Sequence, residues 1–194
     1  METHQHFMLY KPYGIISLRV PPSNLPGKRG LLSLYPFPEG VHPIGRLDED
    51  SEGLLLMSSN SKLMAYVNGA SFEKEYYVQL DGDITAEAIA QMEAGLDIVV
   101  KKESVRTKPC SVKKLAEEPH FEARFPPTRA GKHRPYCWVS ICLTEGKFRQ
   151  VRKMTAAVGF PTLRLVRVRI NTITLGNLKV GEVQQLPSVI PFSL

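Results

Sequence analysis

Very little in this chain of 194 residues suits a metal, redox or secreted protein. It has only three cysteines, Cys110, Cys137 and Cys142. An odd number cannot pair fully, and none stands at the Cys-x-x-Cys spacing of a zinc or redox centre. They are expected to be half-buried structural thiols on strands. The histidines at positions 4, 6, 42, 120 and 133 lack the His-x-x-x-His type of ligand spacing, so no metal is expected. No run approaches the ~20 apolar residues of a membrane-spanning helix. The start Met1-Glu2-Thr3-His4-Gln5-His6 has neither the basic nor the apolar segment of an export signal. A cytoplasmic protein without a membrane partner is the resulting expectation.

Acid is also scarce, and only in one region. Between Arg124 and Arg169 the basic residues Arg124, Arg129, Lys132, Arg134, Lys147, Arg149, Arg152, Lys153, Arg164, Arg167 and Arg169 face the single acid Glu145. The net charge of +6 averages this asymmetry away. A solvated surface normally intersperses acids to limit self-repulsion, so eleven bases against one acid imply a surface that seeks phosphate.

What is present fits one globular body: 43% of residues are hydrophobic and 23% charged. Phe7 to Tyr10 and Ile15 to Leu18 read as strands hinged by Lys11-Pro12-Tyr13-Gly14. Leu54-Leu55-Leu56-Met57 is too short for a helix and reads as a strand buried on both faces. Ser61 is placed to cap a short helix that Gly69 ends, and Thr85 to cap one with Ile89 and Met92 on its apolar face. Further strands are expected at Tyr76 to Leu80, Leu96 to Val100, Cys110 to Leu115 and Trp138 to Leu143. The stretch from Arg124 to Pro135 has the Pro, Gly and charge of a long loop. Val151, Met154 and Val158 predict a helix over Lys147 to Val158, and Leu163 to Ile170 reads as a half-exposed strand. Helices that do not alternate regularly with the strands point to an α+β fold on a mixed, largely antiparallel sheet.

The segment Pro43-Ile44-Gly45-Arg46-Leu47-Asp48-Glu49-Asp50-Ser51-Glu52-Gly53-Leu54-Leu55-Leu56 sets an Asp and an Arg on a glycine-bounded loop that enters a buried strand. A side chain there is held rigid while facing a cleft, which suits a catalytic carboxylate. An Asp in a turn is by itself weak evidence, since Asp is a common turn former.

The whole segment resembles the Gly-Arg-Leu-Asp-x-x-(Thr/Ser)-x-Gly-Leu-Leu-Leu signature of the RsuA-type family of RNA pseudouridine synthases. Lys74-Glu75-Tyr76 with Val78 resembles the family's Lys-x-Tyr-x-Val strand, and Glu145 to Met154 resembles its Glu-Gly-(Arg/Lys)-x-(Arg/His)-Gln-Val-(Arg/Lys)-(Arg/Lys)-Met helix. The resemblance runs from about Met8 to about Leu186. Asp50-Ser51-Glu52-Gly53, the basic loop from Pro126 to Trp138 and Thr155 to Leu165 look closest to the E-type subgroup that modifies 23S ribosomal RNA. Ser58-Ser59-Asn60-Ser61 replaces the family's usual Thr-Asn-Asp-Gly turn, and Asn171 stands where Gly is common. The resemblance implies the pseudouridine synthase catalytic fold as a single domain over 1–194, with no S4 RNA-binding domain.

It also implies the chemistry: cleavage of the N1–C1′ bond of a uridine, rotation of the uracil and a new bond through C5. Such a reaction needs no redox change or group donor, so no cofactor is expected, in accord with the lack of a glycine-rich cofactor loop. The base must first leave its stack, at a cost of a few kcal/mol. By resemblance Asp48 is the catalytic carboxylate, acting as a nucleophile at C1′ or through an elimination route. Tyr76 lies against the flipped uracil, and Arg152 pairs with the catalytic Asp. Arg46 is the candidate to fill the space the base leaves, and Arg129, Lys132, Arg134, Arg149 and Lys153 are candidate backbone contacts. The expected partner is ribosomal RNA, 23S by subgroup, bound by a monomer. Two rivals are an RNA-binding or ribosome-assembly factor without catalysis, and a glycoside hydrolase with Asp50 or Glu52 as second carboxylate. The intact Asp48, Tyr76 and Arg152 disfavour the first, and the basic surface disfavours the second.

Overall fold

The computed structural model describes residues 4–69, 71–131 and 134–187. Lys132 and His133 lie outside the described residues. In chain order the elements are β1 (His6–Lys11), β2 (His42–Ile44), β3 (Glu52–Ser58), α1 (Ser61–Gly69), β4 (Lys74–Asp81), α2 (Ala86–Glu93), β5 (Asp97–Val100), β6 (Glu103–Arg106), β7 (Ser111–Lys114), β8 (Tyr136–Leu143), α3 (Gln150–Ala157), β9 (Thr162–Ile170), β10 (Ile173–Thr174) and β11 (Val183–Leu186). The pairings β1–β3, β1–β11, β2–β3, β4–β8, β7–β8, β5–β6 and β9–β10 are antiparallel, as the α+β reading expects. The chain forms two compact units, Met1–Phe72 with Arg167–Leu194, and Glu73–Val166.

In the first unit β1 is flanked by β11 and β3, and all six of its residues are buried. The apolar run Leu54 to Met57 is fully buried on β3, as its continuous hydrophobicity predicts. Ile15 to Leu18 is not a strand. Ile15 makes one bridge to Arg29, while the Leu18 carbonyl accepts from Leu31 N and the Ser17 hydroxyl turns to Leu47, so these groups serve loops rather than a ladder. Helix α1 is capped one residue earlier than expected: Leu63 N donates to Asn60 Oδ1 at 3.0 Å.

In the second unit β8 lies between β4 and β7. Val78, Leu80, Met92, Val139, Ile141 and Met154 form its fully buried centre. Thr85 caps α2 as expected, accepting from Ala88 N at 3.2 Å. The hairpin β5–β6 is longer than the single strand the sequence suggests. Helix α3 begins at Gln150, not Lys147, because Arg149 holds φ +53° and its left-handed backbone cannot continue a helix backwards. Cys137 and Cys142 sit on β8 and Cys110 one residue before β7. Cys110 donates to Met92 O at 3.3 Å, and burial, then the Glu93 carboxylate, push its thiol up to about 11, which leaves it a structural group.

Strand β9 carries the largest departure from the sequence reading, since it is not half-exposed. Arg164 and Arg167 are buried, 7% and 3% exposed. Arg164 lies over the Phe121 ring at 5.4 Å, and Arg167 Nε donates to Leu54 O at 2.8 Å. Two of the eleven cations counted toward a phosphate-seeking surface are therefore core residues.

Candidate active site and RNA interface

Asp48 lies on the loop between β2 and β3, half-buried, where its carbonyl accepts from Ser51 N at 3.1 Å. The residues on both sides are pinned. On the near side, the buried Ser17 hydroxyl donates to Leu47 O at 2.7 Å and accepts from Leu47 N at 3.0 Å, closing both backbone groups of Leu47 with one side chain. On the far side, Glu49 O accepts from Gly14 N at 2.8 Å and from Lys11 Nζ at 3.4 Å. The loop then enters β3 through Ser51 and Glu52, both essentially fully buried. A carboxylate whose two neighbours are fixed loses little freedom when it meets a substrate, which is the requirement for a reacting group.

Lys11 is the unforeseen member of this set. It is fully buried, with Nζ donating to Ile15 O at 2.6 Å and Pro12 O at 2.9 Å. Burial lowers its ammonium to about 7, against the partial opposition of Glu52, Asp50, Glu49 and Asp48. The folded protein thus binds fewer protons than the unfolded one between about 7 and 10.5, and stability rises with pH across that window. Below it the full cost of burying the charged amine is present. Lys11→Met is expected to abolish the rise, so the stability of wild type relative to the variant should increase by up to about 1.4 kcal/mol per pH unit across the window. Urea unfolding of both proteins across the window measures it. A difference that stays constant would mean that the amine holds its proton as tightly in the folded protein as in the unfolded chain.

Arg46, two residues before Asp48, is exposed, and its guanidinium makes no hydrogen bond or ion pair among the described residues. In the second unit Tyr76 is on β4 opposite Ile141, with 8% of its surface exposed and no hydrogen bond to its hydroxyl among the described residues. Arg152 is half-buried on α3. The turn ahead of α3 is organised by Gln150 and Glu145, two residues of the Glu145 to Met154 segment to which the sequence assigned no individual role. Gln150, buried, accepts from Lys147 N at 2.9 Å and donates to Glu145 Oε1 at 2.5 Å. Burial raises Glu145, but the hydrogen bonds from Lys147 Nζ, Lys108 N and Gln150 outweigh it and hold the carboxyl below its ordinary range.

The basic candidates divide by what already holds them. Arg129 is exposed and uncommitted among the described residues. Arg134 forms an ion pair with Asp81 at 3.0 Å and donates to Gly159 O. Lys153 donates to Val99 O and lies 5.2 Å from the centre of the exposed Phe148 ring. Arg149 is the left-handed residue that immediately precedes α3. Lys132 is outside the described residues.

Residues 5–157 match the model of the RNA pseudouridylate synthase family, and the chain belongs to that family. Among its relatives, the ribosomal large subunit pseudouridine synthase E of Xanthomonas campestris pv. campestris is 40% identical over 177 residues, covering 90% of this chain and 91% of that protein. The protein of the same name from Vibrio parahaemolyticus is 33% identical, covering 96% and 75%. The dual-specificity RNA pseudouridine synthase RluF of Escherichia coli K12 is 33% identical, covering 92% of this chain and 53% of its own length. A crystal structure of a pseudouridylate synthase superposes with a TM-score of 0.75 at 26% identity, over 96% of this chain and 72% of that one.

Proposed function

We propose that this chain converts a uridine of ribosomal RNA, in the 23S molecule, to pseudouridine, as a cytoplasmic monomer that uses no cofactor. The observation that carries the reading is the pinned Asp48 loop, lying inside the segment matched by the family model. The N1–C1′ bond breaks, the uracil turns, C5 bonds to C1′, and the proton leaving C5 is balanced by one gained at N1. Asp48 acts at the ribose. Tyr76 offers the uracil a ring face and a hydroxyl that has no hydrogen-bond partner among the described residues, and Arg152 supports the ionised carboxylate. Release of tritium from C5-labelled uridine RNA tests the reaction, and mapping of pseudouridines in ribosomal RNA from a strain lacking the gene tests the substrate. An unaltered map would remove ribosomal RNA from the reading.

Cations already tied to protein acceptors release fewer counterions on binding RNA, so the salt dependence is expected to follow the division drawn above. Arg129→Gln should flatten the slope of log K against log salt by about 0.7, the value for one phosphate on a single strand. Arg134→Gln should flatten it less, because Asp81 competes for the same guanidinium. Arg152→Ala should cost turnover more than affinity. Titrations at several salt concentrations and single-turnover rates measure the three, and equal slopes for Arg129 and Arg134 variants would show that the Asp81 pair opens on binding.

A further inference from the structure

Beside the Asp48 loop, and entirely within the first unit, is a cleft of about 600 Å³ whose lining includes Val20, His42, Pro43, Arg46 and Asn68. The size is that of a pocket for a small organic group. Its lining holds no acid. Val20 is 62% exposed, a large apolar surface left to solvent at the cleft wall, with Leu18 and Pro43 continuing it. His42, Arg46 and Asn68 have side chains without hydrogen bonds or ion pairs among the described residues, although all three are polar and exposed. Arg19, which also lines the cleft, is spent on the scaffold: its guanidinium donates to the carbonyls of Phe37, Pro38 and Val41. Gly45 completes the shape. Its φ of +70° suits glycine, and a Cβ there would stand 3.3 Å from Asn68 Oδ1, so the missing side chain is what lets the amide sit over the loop.

Resting on the function proposed above, we infer that this cleft takes the base of a nucleotide flanking the target uridine. An apolar wall accepts the face of a base, and an amide that both donates and accepts reads its edge. His42 supplies a ring on which the base can stack. Gly45 is three residues from Asp48, a reach of at most about 11 Å along an extended chain, so an occupant of the cleft belongs to the strand next to the reacting ribose. Specificity for sequence around the target then comes in part from Asn68 rather than from the basic loop of the second unit.

Single-turnover isomerisation of an oligonucleotide bearing the target, intact or with one flanking base removed at a time, tests this against wild type, Asn68→Ala and Val20→Asp. Both positions are exposed, and thermal unfolding confirms that each variant is folded. For wild type, one base removal should raise the half-saturating concentration by at least about fivefold, the effect of losing one stacked base. In the variants that same removal should cost little more, and Asn68→Ala should lose discrimination among bases at that position. If every removal weakens the variants as much as wild type, the cleft does not hold a base. Failure of wild type to release tritium from the intact RNA would instead overturn the function itself.

Discussion

Asp48→Asn is expected to lower turnover by on the order of 10³-fold or more while leaving folding and RNA affinity nearly unchanged. The amide keeps the size of the side chain and leaves in place the bonds that Ser17, Lys11 and Gly14 make to the backbone of Leu47 and Glu49. What is lost is the negative charge of the carboxylate. Ser17→Ala separates charge from position: the carboxylate stays, but Leu47 loses both partners, and a reacting group displaced by a fraction of an ångström is expected to cost about 10- to 100-fold in rate. Single-turnover tritium release at saturating RNA measures both. Substantial turnover by Asp48→Asn would remove the carboxylate from the mechanism, and an unchanged rate for Ser17→Ala would remove the pinning.

The proposed catalytic carboxylate can be picked out in the sequence because its signature is local. Gly45 to Leu56 is one continuous segment, and the loop-then-buried-strand reading follows from composition alone. Its support was not legible, because Ser17 and Leu47 are thirty residues apart and nothing in either segment announces the pairing. Lys11 did leave a trace. A lysine ending the apolar run Phe7 to Tyr10 is an unusual place for a charge, yet only the fold shows that the amine turns inward to the carbonyls of Pro12 and Ile15.

Strand β9 was misread for the same reason. Arg164, Arg167 and Arg169 among apolar residues look like one polar face, and charge usually means solvent. Arg164 and Arg167 are three residues apart, however, so they point to opposite sides of a strand and cannot share a face. Each is buried because the fold brings it a partner distant in sequence, the Phe121 ring for one and the Leu54 carbonyl for the other. Charge counting therefore overstated the surface available to RNA. The start of α3 shows the opposite limit: the periodicity of Val151 and Met154 was correct, but the left-handed turn at Arg149 depends on Gln150 reaching back to Lys147 N, which no period encodes.

Gly53→Ala is expected to be the most damaging single methyl in the first unit. Gly53 holds φ +103°, a conformation that costs an L-residue about 1–2 kcal/mol. A Cβ there would stand 2.3 Å from the Arg167 carbonyl oxygen and 2.6 Å from its nitrogen, both backbone atoms of β9. The neighbouring residue Leu54 supplies the carbonyl that holds the buried Arg167 guanidinium, so moving the strands apart also strips a buried charge of its acceptor. Gly40→Ala is the control, because Gly40 has φ +79° and open space around its missing Cβ, and pays conformational strain alone. At about 2–4 °C per kcal/mol for a chain of this size, Gly40→Ala should lower the melting temperature by a few degrees and Gly53→Ala by about 10 °C or more, or prevent folding. Where Gly53→Ala still folds at low temperature, its turnover should fall as well, since Gly53 lies on β3, the strand entered by the loop that carries Asp48. Equal melting shifts for the two variants would show that β9 yields to the methyl and that the close approach of the strands is not what selects glycine.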